Sequence, residues 1–432
     1  MLFYNLNKPS EKADFRTCTI RGLGSLKGLY FPEKIPSLPA SWFQDIENLS
    51  NEEIAWRVMS PYVGDAIPEK ELRKILAETI AFDIPLVAVH PGVYSLELFH
   101  GPTLAFKDVG ARFMSRCLGY FMKGEGRKVT VLVATSGDTG GAVASGFLGV
   151  EGVDVVILYP SGKVSEVQEL QLTTSGQNIR AFEVDGSFDD CQSLVKQAFS
   201  DEELGEKIFL TSANSINIAR WLPQQIYYFL AWKQWKDKTR PPVIAVPSGN
   251  FGNICAGLLA QSAGLPVRHF IAACNANAVV PEYLSTGVYH PVKAKPTLSN
   301  AMDVGDPSNF IRVLELFHKQ LGSLKTMMSS ESISDQETGL AIRTLYQDYG
   351  YLADPHGAVG WLALTRWLKT QPGESGMFLE TAHPVKFPDT VEKFSGHRVE
   401  IPEAVRTLFS RKKISVKMKA DYPVFKAALL GS

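Results

Sequence analysis

The chain has 432 residues, 45% of them apolar and 21% charged, with a formal net charge of −1 at neutral pH. That composition excludes disordered, collagenous and membrane-embedded classes, and so balanced a charge leaves no electrostatic footprint for nucleic acid or an anionic membrane surface. The length exceeds what one hydrophobic core fills, so two or three packed domains enclosing a cleft are expected.

The N-terminal stretch MLFYNLNKPSEK lacks a basic segment followed by an apolar one, and no run approaches the roughly 18 apolar residues of a spanning helix. The five cysteines, Cys18, Cys117, Cys191, Cys255 and Cys274, are odd in number and scattered, without the close pairing that suits zinc. A cytoplasmic protein in a reducing compartment is the simplest expectation.

Residues 1–95 mix short apolar segments with Pro-rich turns such as FPEKIPSLPASWF and carry few groups that suggest chemistry. They read as an accessory domain. From about residue 105 apolar β-branched runs alternate with helical patterns: VTVLVA from Val129, VDVVILY from Val153, VIAV from Val243, VRHFIAAC from Val267 and MFLET from Met377. Near-continuous apolar strands separated by helices predict parallel-rich sheets covered on both faces, an α/β architecture. Phe113, Cys117, Tyr120 and Phe121 share one helical stripe, as do Cys191, Leu194, Val195 and Phe199.

Several segments carry chemistry. In HGPTLAFKDVGARFM, Lys107 lies among Leu104, Ala105 and Phe106 at a helix entry. Apolar surroundings lower a lysine pKa, and a neutral amine can attack an aldehyde; the plainer reading pairs an exposed Lys107 with Asp108. In ATSGDTGGAVASGF, a strand runs through Ser136, Gly137, Asp138 and Thr139 into a small-residue helix, a geometry that binds anions at free N–H groups, although Ser or Thr there can equally be a plain N-cap. VIAVPSGNFGNICAG repeats the strand-turn-helix plan, with Gly249 and Gly252 allowing a phosphate ester close to the backbone.

SANSINIARWLPQQ places Arg220 among hydrogen-bonding side chains, where it could fork onto a phosphate or carboxylate. Thr381 ends the MFLET strand. Asp354 and Pro355 read as an N-cap and first helical residue, so His356 falls in a first turn with a structural role; His383 is read the same way. No His or Cys spacing argues for a bound metal.

In this order, GLGSLKGLYFP, ELFHGPTLAFKD, ATSGDTG, ILYPSGKVS, NSINIAR, PSGNFGN, TLSNAMDVG and TAHPVKF resemble the threonine synthase family, in its longer bacterial and fungal form, over nearly the whole chain. The resemblance implies a fold type II pyridoxal-phosphate enzyme with the cofactor between two α/β domains: a large one over residues 96–133 and 236–432, and a small one over 134–235. It implies pyridoxal 5'-phosphate held as a Schiff base on Lys107, its phosphate bound by Gly249, Asn250, Phe251 and Asn253, and its ring nitrogen facing Thr381.

By the same resemblance Ser136, Gly137 and Thr139 hold the substrate carboxylate, and Asn214, Ser215 and Arg220 hold its phosphate. The implied reaction takes O-phospho-L-homoserine and water to L-threonine and phosphate, by γ-elimination of phosphate and addition of water at Cβ. A phospholyase of the same fold, releasing 2-ketobutyrate, is the rival reading. Asp138, a cofactor-binding residue by the resemblance, departs from the Asn common in fold type II relatives; an ionised carboxylate beside the cofactor's phenolate oxygen would be repelled by it, which leaves the hydrogen-bonding role of Asp138 open. The implied partner is the small substrate alone, with the chain a monomer or a homodimer.

Overall fold

The computed structural model describes residues 1–431. A six-stranded sheet runs in the spatial order Met328–Ser332, His269–Cys274, Val243–Pro247, Gly376–Glu380, Val93–Glu97 and Leu86–His90. It is parallel except for the last strand, which pairs antiparallel. A five-stranded parallel sheet runs in the order Val416–Lys419, Ile179–Asp185, Val153–Pro160, Val129–Ala134 and Phe209–Ser212. The central strands of both are mainly apolar and almost wholly buried, as strands covered on two faces tend to be.

The N-terminal part is a three-stranded antiparallel sheet, Lys8–Asp14, Leu2–Asn5 and Tyr30–Pro32, followed by the helices Asn51–Val63 and Glu69–Thr79. Its Phe15 meets Phe113 and Phe121 edge-on at 6.2 Å, so it shares a core with the helix Lys107–Met122. Of the stripe expected on that helix, Phe113, Cys117 and Phe121 are buried, whereas Tyr120 in the last turn is 36% exposed.

Sheet membership corrects the expected division at three places. Val129–Ala134 belongs to the five-stranded sheet, flanked by Val153–Pro160 and Phe209–Ser212. The C-terminal strand Val416–Lys419 returns to that same sheet, covering the edge of Ile179–Asp185, and Phe425 packs edge-on to Phe182. Val93–Glu97 straddles the boundary drawn at residue 95 and pairs with Gly376–Glu380. Val416–Lys419 is a short, largely exposed edge strand with weak periodicity, whereas the other two are interior strands whose sheet is decided by pairing partners distant in sequence. Among the described residues no helix is long and apolar enough to cross a membrane.

Candidate active site

Four strands end at one cleft: Val129–Ala134 and Phe209–Ser212 from one sheet, Val243–Pro247 and Gly376–Glu380 from the other. The turns that follow their carboxyl ends line a cavity of about 1770 Å3 that includes Lys107, Ser136, Asp138, Thr139, Asn214, Ser215, Arg220, Gly249, Asn250, Phe251, Asn253 and Thr381. Open α/β sheets bind ligands at this end because helix N-termini face outward there. Arg21 and Lys27 of the N-terminal part also border the cleft, which that region's composition did not signal.

Lys107 opens its helix from a loop stitched to the end of the Gly376–Glu380 strand. Phe106 N–H donates to Thr381 O at 2.9 Å, His383 N–H donates to Leu104 O at 3.0 Å, and Ala105 bridges Ala382. Tyr227 Oη donates to Phe106 O, closing the loop from the other side. These bonds fix Lys107 and Thr381 on one wall. Asp108 is not the lysine's partner: it is buried and accepts from Thr103 N at 2.9 Å and Thr103 Oγ1 at 2.6 Å. The Lys107 side chain is 18% exposed, and burial lowers its pKa; Asp138 opposes that shift, while Lys386 and Arg220 reinforce it.

Asp138 stands 4.0 Å from Lys107 Nζ through Oδ2 and 2.7 Å from Lys386 Nζ through Oδ1. Gln168 Nε2 donates to the same Oδ1 at 3.0 Å. Burial alone would raise this carboxyl, but the two ammonium groups and the hydrogen bonds from Lys386 and Gln168 outweigh it and hold Asp138 below the ordinary carboxylate range. Lys386, fully buried, is therefore the cation that offsets the unusual carboxylate. It stood in view within TAHPVKF; the signal that could have found it is the rule that a buried carboxylate demands a buried partner.

The turn before Asp138 is capped internally. Thr135 Oγ1 accepts from Gly137 N at 3.0 Å and Gly140 N at 2.9 Å, and Gly137 adopts φ of 133°, which favours glycine. The Gly137 amide is thus engaged inside the turn, while Ser136 and Thr139 line the cleft.

In the second turn a Cβ on Gly249 would lie 2.5 Å from Met302 Cα, so only glycine lets residues 300–302 close over it. Phe251 caps the helix Gly252–Ser262 in the left-handed region, and the first intrahelical bond runs from Cys255 N to Phe251 O at 3.1 Å. The N–H groups of Gly252, Asn253 and Ile254 precede that bond at the helix's positive end.

The two expected phosphate sites are joined. Asn250 Nδ2 donates to Ser215 Oγ at 2.8 Å and Asn309 Nδ2 donates to it at 3.0 Å, so Ser215 keeps its own hydrogen to donate elsewhere. Arg220, 3% exposed, donates from Nη1 to Ala213 O at 2.7 Å and has no carboxylate partner; burial lowers its pKa to about 10. Arg312, fully buried, holds this segment from behind, donating to Ser215 O at 3.1 Å, Ile216 O at 2.7 Å and Tyr30 O at 3.0 Å. Within FIRVLEL it reads as a surface arginine, and sequence gives no sign of its role.

Among the described residues, five that line this cleft have a buried polar atom without a protein partner: Asn214 Oδ1, Arg220 Nε, Gln224 Oε1, Asn253 Nδ2 and Asn300 Oδ1. Buried polar groups are rarely left so without a ligand to receive them. His356 lines the cleft too, but it is held in the first turn by Asp354, which caps His356 N and Gly357 N and meets Nδ1 at 3.1 Å, as its sequence context predicts.

A largely buried lysine of lowered pKa, a glycine-lined turn at a helix N-terminus and unpartnered polar atoms around one cavity fit a phosphorylated aldehyde. The family model described as pyridoxal-phosphate dependent enzyme matches residues 82–376, which with the two sheets defines a fold type II enzyme of that cofactor class. Models for the threonine synthase N terminus and C-terminal region match residues 3–80 and 357–428. The threonine synthase of Haemophilus influenzae is 45% identical, with both chains covered completely. The crystal structure of threonine synthase from Escherichia coli superposes with a TM-score of 0.92 at 43% identity over 100% of both chains. That of the PLP-bound threonine synthase from Brucella melitensis gives 0.92 at 34%, covering 99% and 98%. The chain belongs to the threonine synthase family.

Proposed function

We propose that this chain converts O-phospho-L-homoserine and water into L-threonine and phosphate. The observation that carries it is the pair of anion sites in one cleft: the helix terminus behind Gly249 and Asn250, and the Arg220–Ser215 segment, joined through the Asn250–Ser215 hydrogen bond. One suits the cofactor phosphate and the other the substrate phosphate. Lys107 is the residue to which the cofactor attaches, and Gly249, Asn250, Phe251 and Asn253 hold its phosphate, with Thr381 facing the ring nitrogen. When bound, pyridoxal phosphate supplies an electron sink that stabilises negative charge at the substrate's Cα and Cβ.

The protein's own groups then have distinct tasks. Ser136 and Thr139 orient the substrate carboxylate from the capped turn. Lys107 Nζ, neutral once its proton is lost, takes the proton from Cα as general base. Arg220, with the free hydrogens of Ser215 and Asn214, stabilises charge on the departing γ-phosphate. Thr381 offers a hydroxyl rather than a carboxylate, so it does not force a proton onto the ring nitrogen, which moderates the electron sink. Five buried free thiols fit a reducing, cytoplasmic setting.

The test is the fate of oxygen in heavy-oxygen water. Threonine bearing solvent oxygen at Cβ, released with unlabelled phosphate, is the expected result. Homoserine with labelled phosphate would mean simple hydrolysis, and 2-ketobutyrate with ammonia as main products would mean a phospholyase. In either case the synthase reading is wrong. Lys107→Ala should in parallel abolish borohydride-fixable cofactor, and a tag mapped to another lysine overturns that assignment.

A further inference from the structure

We propose that Lys386 is a positioning residue that cancels the charge of Asp138 and so leaves Lys107 free to lose its proton and bond the cofactor. This rests on Lys107 being the attachment lysine. The geometry is a carboxylate shared unequally between two ammonium groups in one buried pocket. Asp138 Oδ1 lies 2.7 Å from Lys386 Nζ and Oδ2 lies 4.0 Å from Lys107 Nζ. Coulomb attraction scales inversely with distance, so the Lys386 contact is about one and a half times the stronger. Gln168 Nε2, donating to Oδ1 at 3.0 Å, turns the carboxylate further toward Lys386.

Without that second cation, a buried carboxylate beside Lys107 would hold the lysine as its ammonium counter-ion. A protonated amine has no lone pair to offer an aldehyde. The other charged groups that act on Lys107 are few: Arg220 from the helix Ile218–Trp221 disfavours the ammonium, and Asp354, the N-cap of Pro355–Thr370, weakly favours it. Asp108, on the lysine's own helix, is turned to Thr103, and Tyr227 spends its hydroxyl on Phe106 O. Burial does most to favour the neutral amine, Asp138 is the main group opposing it, and Lys386, at 2.7 Å from that carboxylate, is the cation placed to cancel the opposition. The proton goes to solvent base; the Nζ lone pair then forms the C–N bond, and the aldehyde oxygen leaves as water.

The experiment follows covalent attachment of pyridoxal phosphate to the full chain stripped of cofactor, reading the rate from the visible absorbance band across pH. Borohydride trapping and peptide mapping locate the tag. In Lys386→Met the pH midpoint of the attachment rate should rise by about one unit or more, since Asp138 then pairs with Lys107 alone. Asp138→Asn, which leaves Lys386 and Arg220 acting on Lys107 without the adjacent carboxylate, should lower it. The double variant should return close to the unsubstituted value, a rescue that a merely structural role would not produce.

A folded Lys386→Met protein whose midpoint is unmoved or lowered overturns the proposal. Should that variant fail to fold by circular dichroism, Asp138→Asn decides alone, and an unmoved or raised midpoint overturns it. A tag on a lysine other than Lys107 in the unsubstituted chain rejects the attachment assignment itself, a failure distinguishable from the first.

Discussion

Arg220→Met separates stability from activity. The guanidinium is 3% exposed, has no carboxylate partner, and makes its side-chain hydrogen bond to Ala213 O while Nε has none. Burial that pulls it from 12.5 to about 10 corresponds to roughly 3 kcal/mol of cost in keeping it charged. Methionine removes that cost, fills similar volume and forfeits one hydrogen bond of about 1 kcal/mol. The variant should thus be as stable as the parent or more so, by up to about 2 kcal/mol. Two charge-assisted hydrogen bonds to a phosphate are worth about 1.5–3 kcal/mol each, so kcat/KM for O-phospho-L-homoserine should fall by a factor on the order of a hundred to ten thousand. Urea unfolding and phosphate release measure the two quantities on the same preparation. A variant destabilised by more than about 1 kcal/mol that retains kcat/KM within threefold would show that Arg220 braces the fold and serves no substrate.

Gly249→Ala should loosen cofactor binding, because its Cβ meets Met302 backbone at 2.5 Å; a displacement costing about 1–3 kcal/mol predicts a Kd raised about tenfold to a hundredfold, and an unchanged Kd by fluorescence titration would refute it. His269 is buried and stacked on Trp367, and burial, with the Arg268 charge, lowers its pKa from 6.5 to about 4. Because the folded state then binds fewer protons than the unfolded chain between about pH 6.5 and 4, its contribution is full above 6.5 and lost as pH falls through that window, by up to about 3 kcal/mol. His269→Gln should flatten this part of the stability profile in urea titrations at pH 7 and 5, and parallel slopes for both proteins would refute the assignment.

Features set by a few neighbouring residues were legible along the chain. Five mainly apolar runs foretold the core strands, because a strand buried on both faces has few positions at which a polar side chain can reach water. HGPTLAFKD and PSGNFGN marked a helix-entry lysine and a glycine turn, since helix starts and tight turns restrict residue type within a few positions. Asp354 and Pro355 announced the helix they cap. Which distant groups meet became visible only in the packed fold. Asp138 and Lys386 are 248 residues apart, and Ser215 and Asn250 are 35 apart on different sheets' turns. Arg312 reaches Tyr30 across 282 residues, and Val416–Lys419 closes an edge begun at Ile179. A buried charge must find its opposite, but which one it finds depends on how packed layers register against each other, and no periodicity along the chain encodes that.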